Sequence, residues 1–266
     1  MAAFRMRFLC LVAAGGISAA AVLAQGRGNE RGDGNGNSNG GAPPANCSGL
    51  PSASQLKALL KAAPGGPNHS PDAGGLFHGD RMWGAVVNRD GILCAYATNQ
   101  DDPSQVWPGS QAIAKAKAYT ANAFSLDGLA LSTANLYTFT QPGHSLWSLA
   151  GANPFNPEAL APTGGQGGGQ NHIAGGMIFF GGGVPLYANG KIIGGLGVSG
   201  DTSCADHEIA KRVRHAASLD PPGGMLVDDI QYKATEGDNA FTHPPCINTW
   251  RNGTNLNLNE NPASGY

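Results

Sequence analysis

The segment 181–200, GGGVPLYANGKIIGGLGVSG, constrains the fold of this chain more than any other part of the sequence. Its apolar runs VPLYA and KIIGGLGVS are separated by Asn189-Gly190, a dipeptide typical of tight hairpin turns. A second hairpin is predicted upstream, where WGAVVN and ILCAYAT flank Arg89-Asp90-Gly91. The run MIFF at 177–180 is predicted as a further strand. The core of the chain is therefore expected to be an antiparallel sheet.

Three helices are predicted around these strands. Residues 52–63 place leucines on one face behind a Ser cap, and PGGP ends the pattern. Residues 110–124 carry alanines at helical spacing, which allow a helix to lie close to a sheet. A third helix is predicted from Cys204, with Ser203 and Asp206 at the spacing of a capping box. The order of elements predicts a single α+β domain with an antiparallel sheet of about five strands covered by helices.

The N-terminus has the pattern of a secretory signal peptide. Arg5 and Arg7 precede an apolar run from Phe8 to Leu23 that ends in small residues. The run is too short to favour a membrane-spanning helix. We expect residues 1–24 to be cleaved after Ala24, leaving a secreted or periplasmic product without stable membrane insertion.

The rest of the chain divides by composition. Residues 25–46 are dominated by Gly and Asn and are predicted to be a flexible, disordered linker. Residues 47–220 are predicted to form the α+β domain, with a long surface excursion at 141–176. Residues 221–266 are polar and are expected to form an irregular C-terminal extension.

The charge of the chain argues against one class of partner. Its net charge is -2, and 13% of its residues are charged. Nucleic-acid binding normally requires a basic patch. We therefore predict no nucleic-acid partner.

Several segments carry a family resemblance. The chain resembles the GlcG/HbpS haem-binding family over about residues 75–220, in the segments AVVNRDGILCAYA, SQAIAKAKAYTANAF, GGGVPLYANGKIIGGLGVSG and DHEIA. It is also similar to the C-terminal haem-binding domain of some cobalamin adenosyltransferases. The resemblance implies a profilin-like antiparallel sheet, homo-oligomers and haem or a related tetrapyrrole as ligand. The chain departs from the family pattern at Asn88, where an Asp is usual, and in the segment ATNQDDPSQVWPG.

Four cysteines remain after signal cleavage, an even number in an oxidising compartment. Cys47 and Cys246 lie in the two extensions that flank the family-like core, and Cys94 and Cys204 lie inside it. We therefore expect the disulfides Cys47–Cys246 and Cys94–Cys204. The alternatives are a buried free thiol at Cys94 and a reactive thiol at Cys204, near a helix N-terminus.

Haem-ligand candidates lie on the third helix. His207, Lys211 and His215 fall on successive turns of one stripe, opposite the apolar stripe, and are expected to face away from the sheet. One interpretation is a solvated polar face. The other is that His207 or His215 is the axial ligand of a surface-bound haem, with Lys211 pairing a propionate.

The remaining motifs exclude several chemistries. Rival ligands lie in loops at His78, His144 and His172, and no histidine pair has the spacing of a zinc site. Ser199 in GVSGD departs from the Gly-x-Ser-x-Gly nucleophile motif. No catalytic residue is assigned.

The sequence predicts an exported haem-binding scavenger, carrier or sensor partner. The alternatives are an oligomeric interaction module without cofactor and an accessory protein or enzyme of small organic acid utilisation.

Overall fold

The computed structural model describes residues 46–66, 68–152 and 176–261. The predicted signal peptide, nearly all of the predicted linker and His172 lie outside the described residues. The helices and strands, in chain order, are α1 (Ala53–Ala62), β1 (Trp83–Asn88), β2 (Leu93–Thr98), α2 (Gly109–Phe124), α3 (Leu149–Ala152), β3 (Gly183–Ala188), β4 (Lys191–Ser199), α4 (Ser203–Ala216), α5 (Lys233–Glu236), β5 (Thr249–Arg251) and β6 (Thr254–Leu258).

The central sheet is antiparallel, with the strand order β2-β1-β4-β3. Both predicted hairpins are confirmed, and Asn189 and Gly190 have φ of 51° and 76°, as the tight turn requires. The α+β class is confirmed, but the sheet has four strands. The prediction of a strand at 177–180 is wrong, because the Ile178 N–H donates to the hydroxyl of Thr120 in α2 at 3.0 Å and not to a neighbouring strand.

Helices cover both faces of this sheet. On one face, α2 packs over β1, β3 and β4. On the other face lie α1 and α4, whose apolar side chains form the larger core with the sheet. The side chains that α1 and α4 bring to this core include Leu56, Leu60, Ile209, Ala210 and Val213.

The approach of α2 to β4 depends on glycine. A Cβ at Gly197 would lie 2.0 Å from the carbonyl oxygen of Ala114, and a Cβ at Gly195 would lie 2.2 Å from that of Ala118. Both distances are shorter than any non-bonded contact. The Gly-rich strand and the Ala-rich helix are therefore matched, as the small residues of the predicted helix indicate.

The helix caps agree with the sequence in one case and differ in the other. Ser52 and Gln55 form the full capping box of α1. The N-cap of α4 is Thr202, whose hydroxyl accepts from the Ala205 N–H, so the predicted box of Ser203 and Asp206 is wrong. The Asp206 carboxylate instead accepts the N–H of Asp201 at 2.9 Å.

The disulfides join Cys47 to Cys94 and Cys204 to Cys246, so the predicted pairing Cys47–Cys246 and Cys94–Cys204 is wrong. Cys47 stands just before α1, and α1 packs against β2, which carries Cys94. Cys204 opens α4, and the C-terminal extension runs along this helix and brings Cys246 to it. Each bridge therefore ties a segment outside the central sheet to the core.

The C-terminal extension has structure of its own. It contains the single turn α5 and the hairpin of β5 and β6, and β5 packs against α4. Ile230 and Tyr232 are buried beside the Cys204–Cys246 bridge. In the part of the chain that the structure describes, no helix has the length and apolarity needed to cross a membrane.

Candidate functional site

The polar face of α4 is buried under the C-terminal extension. His207 and Lys211 are 0% exposed, so the expectation of a solvated stripe is wrong for these two residues. Asp229 and Asn252 of the extension lie over the face and contact it with polar groups. These contacts are polar, so they leave no apolar periodicity from which the covering of this face could be predicted.

Lys211 is the centre of the buried cluster. Its Nζ lies 2.7 Å from Glu208 Oε1, 2.6 Å from Asp229 Oδ1 and 2.9 Å from Asn252 Oδ1. His207 Nε2 lies 3.4 Å from the same Asp229 oxygen. Burial opposes ionisation of Asp229, but the His207 imidazole and the charge of Lys211 outweigh it and hold the pKa of this carboxyl below its usual value. The cluster binds the extension to α4.

His215 lies apart from this cluster. Its imidazole is exposed near the end of α4, and its Nδ1 lies 2.6 Å from Asp220 Oδ2. His207, Lys211 and His215 therefore do not share an accessible surface. In this fold His215 is accessible to a ligand at the surface, and His207 is not.

A second buried ion pair lies at the start of α4. Lys117 Nζ is 2.7 Å from Asp206 Oδ2, and both side chains are buried. Burial raises the pKa of Asp206 to about 6, against the opposing charge of Lys117. The Lys117 ammonium also lies 4.8 Å from the centre of the Phe180 ring. This pair joins α2 to α4 at the end of β4.

Of the loop histidines within the described residues, His78 has the setting of a ligand. Its side chain is 41% exposed, and its Nδ1 lies 3.0 Å from Asp72 Oδ1 and 3.1 Å from Oδ2. A carboxylate accepts a hydrogen bond, so the neutral ring carries its proton on Nδ1 and its lone pair on Nε2. A carboxylate behind the imidazole is the arrangement that orients histidine ligands in metal sites.

Aromatic and apolar side chains lie around His78 and its neighbour Phe77. The His69 ring stacks on the His78 ring with centroids 4.9 Å apart. Phe77 meets Trp107 edge to face at 5.4 Å, and the Arg81 guanidinium lies 4.8 Å from the Phe77 centroid. Leu76 and Trp107 are about half exposed. We call this region the His78 surface; it comprises His69, Leu76, Phe77, His78, Arg81 and Trp107.

Asp201, which precedes the N-cap of α4, and Arg212 of α4 hold the loop of the His78 surface. The carboxylate of Asp201 accepts the N–H groups of Leu76 at 2.6 Å and Phe77 at 2.7 Å. The Arg212 guanidinium donates to the carbonyl oxygens of Pro71 at 2.9 Å and Asp72 at 2.7 Å. The backbone that leads to His78 is therefore fixed before any ligand binds.

This donor set suits an iron tetrapyrrole. Haem iron takes an imidazole nitrogen as axial ligand, its ring faces are apolar, and its propionates pair with cations. The His78 surface combines an imidazole backed by a carboxylate, exposed apolar side chains and the guanidinium of Arg81.

A scan against protein-family models matches residues 78–214 to the family described as haem degrading protein HbpS-like. The match spans more than half of the 266-residue chain and includes both hairpins of the sheet, α2 and most of α4. The chain belongs to this HbpS-like family. A search of curated proteins found no match.

The solved structures that are similar to this HbpS-like chain have low sequence identity to it. The PduOC:heme complex is 23% identical, with 62% of this chain and 91% of the other covered and a TM-score of 0.41. Klebsiella pneumoniae protein ORFY is 25% identical, with 62% and 87% covered and a TM-score of 0.40. HbpS itself is 19% identical, with 62% and 89% covered and a TM-score of 0.40.

Sequence reasoning missed three residues that matter in this HbpS-like structure. Asp72 and His69 precede the family match, and neither forms a motif with His78 in the sequence. His243 lies in the C-terminal extension, which was predicted to be irregular. It is buried, and burial lowers its pKa to about 3, so its ring is neutral near pH 7. The segment His-Pro-Pro-Cys at 243–246, with a histidine near a cysteine, was the available signal.

Proposed function

We propose that this HbpS-like protein is an exported haem-binding protein that acts as a scavenger, carrier or sensor partner. Its membership of a family described as haem degrading carries the ligand class. The two disulfides support an oxidising compartment, secreted or periplasmic. Chain recovered from that compartment is expected to begin at Gln25; an intact mass that retains residues 1–24 would contradict the export proposal.

Haem binds at the His78 surface in this proposal. His78 Nε2 would bind the iron, and Asp72 holds the ring by its Nδ1–H. Leu76 and Trp107 would contact the porphyrin, and Arg81 would pair a propionate. Bound haem would supply an iron centre that exchanges ligands and electrons; the residues of the chain orient it and shield one face.

The earlier candidates rank below His78 for a physical reason. His207 is 0% exposed and lies beneath Asp229, so it becomes a ligand only after the extension leaves α4. That step would expose Lys211 and Glu208 without their partners. In this proposal Lys211 stabilises the fold through its ion pairs and does not pair a haem propionate. His215 is accessible, but its setting lacks the aromatic neighbours of His78.

A haemin titration followed by absorption spectroscopy tests the proposal. We expect wild-type chain to bind haemin with a shifted Soret band, and His78→Ala to lose at least about tenfold in affinity, as loss of an iron ligand predicts. His144→Ala is the matched control, because His144 is also an exposed loop histidine, and it should bind as wild type does. If His78→Ala binds haemin unchanged and His207→Ala does not bind it, the iron-binding residue is His207 of α4 and the proposal is wrong.

The alternative function, an interaction module without cofactor, has one supporting observation. Leu126, Leu129, Leu226 and Val227 are each at least half exposed, and Leu129 and Val227 line a pocket of about 230 Å³. We propose that this surface contributes to the homo-oligomer that the family resemblance implies. Sedimentation should show that Leu129→Asp lowers the assembly mass. If no haemin binds and the assembly persists, the interaction module is the better account.

A further inference from the structure

The disulfide of the C-terminal extension lies beside a buried histidine. Ligand atoms of Cys204, Cys246 and His243 all lie within 4.8 Å of one another. Among residues 46–66, 68–152 and 176–261, these form the only group of three or more His, Cys, Asp or Glu side chains close enough to hold one metal ion. The Cys47–Cys94 bridge has no such neighbours within that part of the chain. The two disulfides therefore differ in their chemistry.

Hydrogen-bond donors surround the sulfur of Cys246. The Cys204 N–H points at Cys246 Sγ from 3.2 Å, and the Ser203 hydroxyl lies 3.3 Å from it. Both come from the first turn of α4, where the free N–H groups favour negative charge. A disulfide sulfur is a weak acceptor, whereas a thiolate is a strong one. These donors would stabilise the thiolate more than the disulfide.

The hydrogen bonds of His243 fix its tautomer. Its Nδ1 lies 2.7 Å from the carbonyl oxygen of Pro244, which can only accept, so Nδ1 carries the proton. The lone pair is on Nε2, which accepts the Gly181 N–H at 3.2 Å. A histidine that donates from one nitrogen to a backbone carbonyl binds a metal through the other, and a metal at Nε2 would replace the Gly181 N–H there.

A pocket gives small molecules access to this cluster. It has a volume of about 320 Å³ and is lined by residues that include Ser203, His243, Cys246 and Glu260. Glu260 is exposed, and its N–H donates to the carbonyl oxygen of Cys246 at 3.2 Å. A carboxylate at the rim can complete a set of two thiolates and one imidazole, a combination typical of zinc.

We propose that Cys204, Cys246 and His243 form a redox-gated zinc site, of which the disulfide is the closed state. A dithiol reductant supplies two electrons and two protons; the S–S bond breaks, two thiols form and the reductant closes its own disulfide. Zn²⁺ then binds both sulfurs and His243 Nε2, and the two thiol protons pass to solvent. Glu260 or water takes the fourth position. The site holds the extension on α4 in either redox state.

Titration of the dithiol-reduced chain with Co²⁺, a spectroscopic substitute for Zn²⁺, tests this site. We expect one Co²⁺ per chain, a thiolate-to-cobalt charge-transfer band, and loss of the band when Zn²⁺ is added. His243→Ala should weaken binding at least about tenfold. Cys47→Ser with Cys94→Ser, which removes the other bridge, is the matched control and should leave the band unchanged.

Two results would overturn the zinc site. One is the absence of Co²⁺ uptake by reduced wild-type chain whose four thiols have been counted as free. The other is an unchanged band in the Cys204→Ser, Cys246→Ser variant. If reduction partly unfolds the chain, circular dichroism tests whether Zn²⁺ restores the structure. Recovery on adding Zn²⁺ supports the site, and no recovery contradicts it.

Discussion

His78 and Asp72 act as a unit at the scale of single residues. Burial opposes the charge of Asp72, but the hydrogen bonds from the Gly74 N–H and from His78 lower the pKa of this carboxyl below its usual value. The charged carboxylate holds the Nδ1–H of His78 and makes Nε2 a better electron donor. The backbone of His78 has a φ of 54°, so this pairing depends on the turn as well as on the two side chains.

The Asp72 carboxylate should contribute to the affinity for haemin, because it supports the His78 ring. We predict that Asp72→Asn weakens haemin binding about tenfold, the usual effect of losing a carboxylate behind a histidine ligand. The measurement is the dissociation constant from absorption titration. Asp127→Asn, at an exposed carboxylate paired with Lys191, serves as control and should leave the constant unchanged. Equal constants for all three proteins would mean that Asp72 does not support the ligand.

The buried pair of Lys117 and Asp206 predicts a large stability effect. Lys117→Met leaves a buried carboxylate without its partner, which should lower the free energy of unfolding by about 3–5 kcal/mol at neutral pH. The pKa of Asp206, already about 6, would rise further above its unfolded value of 3.8. The loss should therefore shrink as the pH falls and Asp206 becomes protonated. Denaturant unfolding of the variant at neutral and acid pH measures both effects, with the exposed Lys191→Met as control.

Part of the candidate site could be predicted from sequence at this scale. His78 was identified as a ligand candidate because it lies in a loop beside Gly79. Asp72 and His69 could not be assigned to the site of His78 from sequence. They reach His78 because the loop turns back on itself, with a positive φ at both histidines. At His207 the polar stripe of α4 was interpreted as a solvent-exposed face. The groups that contact it are polar side chains of the C-terminal extension, not water.

At the scale of elements, the contact of α2 with β4 controls stability. We predict that Gly197→Ala lowers the free energy of unfolding by about 1–3 kcal/mol or more, because the added Cβ meets the Ala114 carbonyl and the layers must separate. Gly109→Ala is the matched control: it also lies in this layer, and a Cβ there has no neighbour within 4 Å. Denaturant midpoints that are equal for the two variants would contradict the close packing.

The helices and strands of the core were largely predictable, and the covering of α4 was not. Periodicity and turn dipeptides identified α1, α2, α4 and both hairpins, because each of these elements buries an apolar face. The short α5 has no buried face, and the β5–β6 hairpin packs only the partly buried Leu256 and Leu258 against the cluster of Ile230 and Tyr232. Disulfide pairing depends on which elements become neighbours, so it could not follow from the positions of the cysteines along the chain.

At the scale of the whole molecule, the C-terminal extension is tied to α4 by the Cys204–Cys246 disulfide and by the ion pair of Lys211 with Asp229. Asp229 has a pKa held below the unfolded value of 3.8, so its contribution to stability is complete above that pH and is lost as the pH falls further. We predict that acid weakens the hold of the extension on α4. Asp229→Asn should be less stable than wild type at neutral pH and should lose less on acidification, as denaturant midpoints across the acid range will show. Parallel curves for the two proteins would contradict this role.

The two candidate sites lie on different segments of the chain. The C-terminal extension covers α4 and carries the thiol–histidine cluster, while the loop before β1 carries the His78 surface. The carbonyl oxygen of Asn248 accepts the Gly75 N–H at 3.0 Å, so the extension also contacts the loop that leads to His78. Haem binding is therefore expected with the extension in place.

The most direct measurement of this account is a crystal structure of the haemin complex. It predicts iron bound to His78 Nε2, with Asp72 still on Nδ1, the porphyrin against Leu76 and Trp107, and the extension still seated on α4. Iron bound to His207, with the extension displaced, would contradict the account.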